Sequence, residues 1–161
     1  MKMVDVGQKE RTERVAIARA RVRMLPATVK RISAGTVEKG DVLAAARLAG
    51  IMATKRTPDI IPLCHPISLS GAEVTLALGR DHLAVEATVK TVDRTGVEME
   101  ALMAVTAAAL TVYDMCKSMD RGMVIEAVQL EHKSGGRSGT WSREPATSSK
   151  PRRKAQRTNP P

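Results

Sequence analysis

Asp114 and Lys117 lie three positions apart in a stretch whose apolar residues predict a long helix. This spacing places both side chains on one face of the helix. Because Tyr113, Met115 and Cys116 surround them, we expect this turn to be mostly buried and the pair to border a cavity. A lysine with reduced solvation beside a carboxylate can exchange protons near neutral pH. The pair is therefore a candidate for acid–base chemistry, with a solvated surface ion pair as the alternative.

His65 is a second candidate, in the segment KRTPDIIPLCHP at 55–66, which contains three prolines. Proline fixes φ and restricts the residue before it, so we expect a stiff loop that holds Cys64 and His65 in place. His65 can then transfer a proton or bind a phosphate. A packed loop histidine is the alternative. Since no C-x-x-C or H-x-x-x-H spacing is present, no metal site is predicted.

Glu98 and Glu100 follow Gly96 and open the predicted long helix. Acidic residues in a first helical turn favour the helix dipole, which is sufficient to explain them structurally. The functional alternative is a carboxylate pair that contacts a base or transfers protons.

Two basic segments are candidates for binding phosphate. Asp41 in Lys39-Gly40-Asp41 is explained as the N-cap of a helix, but Lys39 has no evident structural duty and can reach a phosphate. The segment KSGGRSG at 133–139 combines basic residues with glycines that let backbone N–H groups approach an anion. A Gly-Ser linker is the alternative, and the segment lacks the residue order of a P-loop.

The composition fits one globular domain followed by a basic tail. Of the 161 residues, 43% are hydrophobic and 27% are charged, and the formal net charge is +9. Residues 142–161 contain six basic groups and one acid, which leaves a net charge of +4 on residues 1–141. We therefore predict a single catalytic domain over 1–141 and a disordered tail over 142–161. A mildly basic domain suits an anionic small-molecule ligand.

Location and other partners are predicted from the same composition. No apolar run approaches the roughly 20 residues that span a bilayer, and the N-terminal residues lack the apolar stretch of a secretory signal. With only two cysteines, we expect a cytoplasmic protein. Nucleic-acid-binding sheets stack bases on aromatic residues of their strands. Since this chain has no Phe, and Tyr113 and Trp141 are expected outside the strands, no specific nucleic-acid binding is predicted.

The hydrophobic pattern predicts an α+β fold with helices packed on one face of a mainly antiparallel sheet. The predicted order is strand, two helices, hairpin, long helix and strand, at residues 18–24, 26–34, 42–54, 72–78 with 83–89, 97–119 and 123–130. The long helix is apolar on nearly every face, which is typical of a helix buried on more than one side. In a chain of this size, we expect another subunit to provide the second cover.

Several segments together resemble the molybdenum cofactor biosynthesis protein C family, whose members are cyclic pyranopterin monophosphate synthases. The segments are MVDV at 3–6, KGDV at 39–42, AGI at 49–51, KRTPDIIPLCHP at 55–66, TGVEMEALMAVTAAALTVYDMCK at 95–117 and KSGGRSG at 133–139. The resemblance covers about residues 3–141. It implies a lyase that converts a cyclic dihydroguanosine triphosphate into cyclic pyranopterin monophosphate and pyrophosphate. It also implies ferredoxin-like subunits in a hexamer (a trimer of dimers), sites built between two subunits, and no cofactor.

The resemblance also implies roles for particular residues. Lys117 and Lys39 become acid–base groups, Asp114 orients Lys117, and His65 belongs to the catalytic set. Glu98 and Glu100 contact the guanine-derived ring, whereas Arg14 and Lys133 bind phosphates. The complete set of implied substrate contacts is Leu63, Cys64, His65, Glu98, Met99, Glu100, Arg14 and Lys133.

Overall fold

The computed structural model describes residues 1–144, which form five strands and four helices. In chain order these are β1 (Thr12–Arg23), α1 (Pro26–Ser33), α2 (Val42–Thr54), α3 (Thr57–Ile60), β2 (Leu69–Leu78), β3 (His82–Asp93), α4 (Glu98–Cys116), β4 (Val124–Ser134) and β5 (Trp141–Ser142). Every element predicted from the sequence is present, while α3 and β5 are additional.

The strands form one sheet in the order β2-β3-β1-β4-β5, and all neighbours are antiparallel. The predicted α+β class with an antiparallel sheet is therefore confirmed. Because β3 pairs antiparallel with both β1 and β2, those two strands run parallel with β3 between them. This is the strand arrangement of a split β-α-β unit.

The alternation predicted for the first strand is confirmed. Ala18, Ala20 and Val22 are buried against the helices, while Arg19 and Arg23 are exposed on the other face of the sheet. The strand begins at Thr12 rather than at residue 18. Its additional length continues the pairing with β3 and β4 and brings the predicted phosphate ligand Arg14 into the sheet.

The helices α2 and α4 pack closely together on one face of the sheet. Asp41 Oδ1 accepts a hydrogen bond from Ala44 N at 2.9 Å, which confirms the predicted N-cap of α2. A Cβ added at Gly50 would lie 2.9 Å from the carbonyl oxygen of Ala104 in α4, so a larger residue there would push the helices apart. This contact fixes α2, and the connection that precedes it, relative to α4.

The core helix α4 covers the sheet with one side and contacts α2 with another. Its length and composition would also allow it to cross a membrane, contrary to the expectation that no run is long and apolar enough. Half of that apolar stretch is buried within this fold, as is common for the core helix of a globular domain. Leu110 of α4, with Leu48 and Met52 of α2, remains exposed on the outer surface of the helix layer.

The C-terminal end of the domain differs from the prediction. Trp141 lies in β5 rather than outside the strands. Ser142 Oγ hydrogen-bonds His132 Nδ1 at 2.8 Å, and Arg143 N donates to the carbonyl oxygen of Glu131 at 2.8 Å. The predicted boundary at 141 therefore falls inside a strand, and the domain includes Arg143. The remainder of the predicted tail, residues 145–161, lies outside the described residues.

Candidate active site

Lys39, Asp114 and Lys117 form a cluster at the C-terminal end of α4. Lys117 Nζ donates to Asp114 Oδ1 at 2.7 Å, and Lys39 Nζ donates to Asp114 Oδ2 at 2.7 Å. Lys39 also donates to the backbone carbonyl of Asp114 at 3.1 Å. One carboxylate therefore holds two ammonium groups that belong to different elements of the fold.

The prediction that this turn is mostly buried holds for Met115 and Cys116, but it is wrong for the ion pair itself. The side chains of Asp114 and Lys117 are 55% and 52% exposed, whereas Tyr113, Met115 and Cys116 pack against the core. The hydrogen bonds from Lys117 and then Lys39 lower the pKa of Asp114 to about 2. In return, the hydrogen bond and the charge of Asp114 raise the pKa of Lys117 above its usual value. Lys117 is therefore an ammonium ion at neutral pH.

A second cluster lies at the N-terminal end of α4. Lys133 Nζ is 3.0 Å from Glu98 Oε1 and donates to Ser138 Oγ at 3.0 Å. The carboxylate of Glu98 folds back over Gly96, where a Cβ would lie 2.8 Å from Glu98 Cδ. The second cluster thus joins the first turn of α4 to the end of β4 and to the glycine-rich segment that follows β4.

Glu100 is buried beside this cluster, with 2% of its surface exposed. Burial raises the pKa of its carboxyl to about 6, with a further increase from the charge of Glu98, while its own backbone N–H has the opposite effect. Glu100 lines a cavity of about 270 Å³ whose other lining residues are Thr54, Lys55, Pro58, Pro66, Ile67 and Leu69. A carboxyl group with this pKa can both donate and accept a proton near neutral pH.

The proline-rich segment lies against the same end of α4. It contains the short helix α3, so part of the predicted loop is helical. Cys64 and His65 are half-buried and Leu63 is exposed. Burial raises the pKa of the Cys64 thiol, as does the nearby charge of Glu100. Cys64 is therefore a thiol at neutral pH, which does not favour it as a nucleophile.

Arg14 is close to the second cluster and is held by backbone oxygens. Its Nε donates to the carbonyl of Asp93 at 2.9 Å, and its Nη2 donates to the carbonyl of Arg94 at 3.2 Å. The guanidinium lines an open cavity of about 680 Å³, whose other lining residues are Gln8, Lys9, Glu10, Thr12, Gly136, Arg137 and Ser138. Three cations and one acid line this cavity, so it favours an anionic ligand.

The structure therefore divides the predicted site residues into two groups. Lys39, Asp114 and Lys117 lie at one end of α4, while Glu98, Glu100 and the remaining predicted residues lie at or near the other. The helix has 19 residues and is about 28 Å long at 1.5 Å per residue. The fold of this chain does not bring all the predicted residues together.

Some contributors to the second cluster were missed by the sequence analysis. Ser138 and Gly136 belong to the segment 133–139, which was interpreted only through its basic residues and general glycine content. No pattern in the sequence indicated that Lys55 lines the cavity beside Glu100, or that the backbone oxygens of Asp93 and Arg94 hold Arg14. Within residues 1–144, no three His, Cys, Asp or Glu side chains converge as metal ligands do.

An α+β domain with two charged clusters and a cavity lined by three cations and one acid is suited to binding an anionic small molecule. The chain matches the model of the MoaC family over residues 3–136. A relative from Thermomicrobium roseum is 58% identical over 145 residues, which cover 89% of this chain and 87% of the relative. A relative from Roseiflexus sp. strain RS-1 is 59% identical over 142 residues, which cover 87% of this chain and 90% of the relative. A relative from Streptomyces avermitilis is 56% identical over 142 residues, which cover 88% of this chain and 84% of the relative.

All three relatives are named cyclic pyranopterin monophosphate synthase. This chain belongs to the MoaC family, which confirms the resemblance found in its sequence.

Proposed function

We propose that this chain is a cyclic pyranopterin monophosphate synthase of molybdenum cofactor biosynthesis. Its substrate is (8S)-3',8-cyclo-7,8-dihydroguanosine 5'-triphosphate, and its products are cyclic pyranopterin monophosphate and pyrophosphate. One observation carries the proposal: relatives with this name match nearly the whole domain. The charged clusters near the two ends of α4 agree with it.

The reaction class is that of a phosphorus–oxygen lyase. The purine ring is opened and rebuilt as a pyranopterin, which requires proton donors and acceptors near the ring. A hydroxyl oxygen then forms a bond to the α-phosphorus, the bond to the β-phosphate oxygen breaks, and pyrophosphate leaves. The hydroxyl proton passes to a base, and cations offset the charge on the leaving group.

The two clusters are suited to different parts of this reaction. Arg14 and Lys133 bind the triphosphate, while Glu98 and Glu100 contact the guanine-derived ring together with Leu63, Cys64, His65 and Met99. Glu100 has a pKa of about 6, which supports proton exchange with a ring nitrogen at neutral pH. His65 is a further proton-transfer group of this site.

Lys117 and Lys39 act as acid–base groups, and Asp114 orients both. The raised pKa of Lys117 supports a role as proton donor, because the group is protonated before the reaction. A role as base requires its pKa to fall, which burial beneath a second subunit and approach of another cation would favour.

Each complete site is built from two subunits. The clusters are about 28 Å apart along α4, whereas a substrate must contact both. A two-fold axis near the middle of α4 would place the C-terminal end of one helix beside the N-terminal end of its copy, which creates two sites per pair. The exposed apolar residues of α2 and α4 support this face as the contact, and we propose a hexamer composed of three such pairs.

We also propose that the enzyme acts in the cytoplasm, without a cofactor and without specific nucleic-acid binding. Cys64 and Cys116 are both free thiols, which suits a reducing compartment. The aromatic residues do not form a base-stacking surface, because Tyr113 lies on α4 and Trp141 lies at the edge of the sheet.

The proposed activity is tested by incubating the purified full chain with the cyclic dihydroguanosine triphosphate. Pyranopterin and pyrophosphate should appear in equal amounts, and Lys117→Ala provides the inactive control. Consumption of substrate without pyrophosphate release, or no consumption, would contradict the proposal.

A further inference from the structure

Three glycines in the segment after β4 have positive φ, but different atoms lie where their side chains would be. The φ angles are +97° at Gly135, +70° at Gly136 and +62° at Gly139. An L-residue at any of the three would therefore be strained. The atoms that an added side chain would contact differ among the three glycines, and these atoms indicate what each glycine does.

A Cβ at Gly135 would overlap the backbone carbonyl oxygen of Glu13 and would lie 3.2 Å from Arg14 Cα. A Cβ at Gly136 would overlap the guanidinium of Arg14, with Cζ at 2.7 Å and Nη2 at 2.8 Å. A Cβ at Gly139 would meet no atom within 4 Å. Backbone cannot move without shifting β1, but the end of an arginine side chain can move.

The guanidinium of Arg14 is thus enclosed on two sides. The carbonyl oxygens of Asp93 and Arg94 accept hydrogen bonds from Nε and Nη2 on one side. The bare backbone of Gly136 lies against Nη1 on the other side. A guanidinium has five N–H donors in a fixed plane, so these two hydrogen bonds leave others for a ligand. Arg14 lines the 680 Å³ cavity together with Lys9 and Arg137.

We infer that Gly136 is a positioning residue: the absence of a side chain there seats the Arg14 guanidinium against the carbonyls of Asp93 and Arg94, so that it faces a polyphosphate ligand in this cavity. The inference rests on the proposed function for the identity of the ligand, a nucleotide-like triphosphate. It adds to that function a residue that acts through Arg14.

The first test uses inorganic tripolyphosphate as the probe and isothermal titration calorimetry on the full chain. Gly136→Ala should weaken tripolyphosphate binding about tenfold or more, the effect expected when a charge-assisted hydrogen bond is lost. Gly35→Ala, just after α1, is the matched control. Gly35 also has a positive φ (+65°) and a Cβ there would meet no atom within 4 Å, but it lies outside the 133–139 segment, so the change should alter binding less than about twofold. Circular dichroism and light scattering check that both variants remain folded and assembled. The basic residues 145–161 are identical in every variant.

A double-mutant cycle separates positioning from general damage to the fold. With Arg14→Ala already present, Gly136→Ala should weaken tripolyphosphate binding no more than Gly35→Ala does, because its action through Arg14 has been removed. In steady-state turnover, Gly136→Ala should raise KM for the triphosphate substrate more than it lowers kcat.

Several outcomes would overturn the inference. These are a wild-type chain that binds no tripolyphosphate, equal binding by the Gly136→Ala and Gly35→Ala variants, or a full additional loss when Gly136→Ala is added to Arg14→Ala. Failure of the proposed function has a different signature. In that case tripolyphosphate binding and its dependence on Gly136 persist, but the cyclic dihydroguanosine triphosphate is not converted.

Discussion

Lys39 Nζ lies 2.7 Å from Asp114 Oδ2, although the two residues are 75 positions apart in the chain. The contact exists because the connection between α1 and α2 passes over the last turn of α4. Asp114 is therefore shared between a local lysine, three residues along the same helix, and a distant one. Asp114 thus links Lys39 and Lys117 at one end of α4, about 28 Å along the helix from Glu98.

Lys117→Ala should lower the rate of pyranopterin formation by about a hundredfold or more, because a positioned proton donor contributes at least this much. Alanine is a good helix former, so the end of α4 should stay helical. The measurement is single-turnover product formation, with circular dichroism and light scattering as controls for folding and assembly.

Lys117→Arg distinguishes proton transfer from charge. A guanidinium remains protonated at neutral pH and cannot relay a proton, so this variant should be as inactive as Lys117→Ala. If it retained near-wild-type turnover, Lys117 would be a charge anchor, and the acid–base role would have to pass to Lys39 or His65.

Asp114→Asn should move the alkaline limb of the pH–rate profile to lower pH. The carboxylate raises the pKa of Lys117, so its removal lets the ammonium lose its proton at lower pH. The measurement is kcat/KM across the neutral and alkaline range. Asp81→Asn is the matched control, since Asp81 is an ion-paired aspartate in the turn between β2 and β3. An unchanged alkaline limb in Asp114→Asn would show that Lys117 does not determine it.

Glu100→Gln should stabilise the fold above about pH 6 and have little effect below pH 4.5. The folded-state pKa of Glu100 is raised from 4.5 to about 6, so its contribution to stability is fully present below pH 4.5 and is lost as pH rises through about 6. Glutamine is never charged and avoids this loss, which amounts to about 2 kcal/mol. Urea unfolding followed by circular dichroism at about pH 4 and about pH 8, on either side of this window, measures the effect. Equal stability of the two proteins at the higher pH would mean that the carboxylate is well solvated.

Mixing two inactive variants should restore activity if each site uses two subunits. Lys117→Ala damages one end of α4 and Lys133→Ala affects the other, so a mixed pair contains one intact site. After dissociation and random reassembly, about half of the pairs are mixed, and one of the two sites in each mixed pair is intact. The mixture should therefore recover about a quarter of the wild-type sites. A mixture of Lys117→Ala with Lys39→Ala is the control, since both changes lie at the same end. Recovery in neither mixture would place the site within one subunit.

Removal of residues 145–161 should leave turnover nearly unchanged, because every proposed site residue precedes them. A loss of more than tenfold, about 1.4 kcal/mol in the barrier, would contradict this. Truncation after Thr140 should be more harmful. It deletes β5 and the hydrogen bond between Arg143 N and the Glu131 carbonyl, close in sequence to Lys133.

Local patterns predicted most of the fold. The alternation around Ala18 and Ala20 predicted a strand with one buried face, and the Asp41 cap predicted where α2 begins; both features depend on neighbours in the chain. The structure instead adds α3 inside a proline-rich segment and extends β1 back to Thr12, since pairing with β3 decides where a strand starts.

Less of the candidate site than of the fold could be predicted from the sequence. The residue types at Lys117 and Glu98 indicated chemistry, but neither the exposure of Lys117 nor the separation of the two clusters can be read from spacing alone. The position of the Arg14 guanidinium depends on the carbonyl oxygens of Asp93 and Arg94 and on the absence of a side chain at Gly136. Contacts made by backbone atoms leave no trace in residue type.

The edge position of Trp141 has a consequence for spectroscopy. The chain contains one tryptophan, one tyrosine and no phenylalanine. Trp141 is 41% exposed in β5 with the Arg143 guanidinium 5.7 Å from its ring centre, and Tyr113 Oη donates to the Arg121 carbonyl near the end of α4. The aliphatic core therefore contains no chromophore. Indole emission reports the detachment of one edge strand, and tyrosine emission reports the end of α4 that carries Lys117, so each fluorescence signal follows one end of the domain.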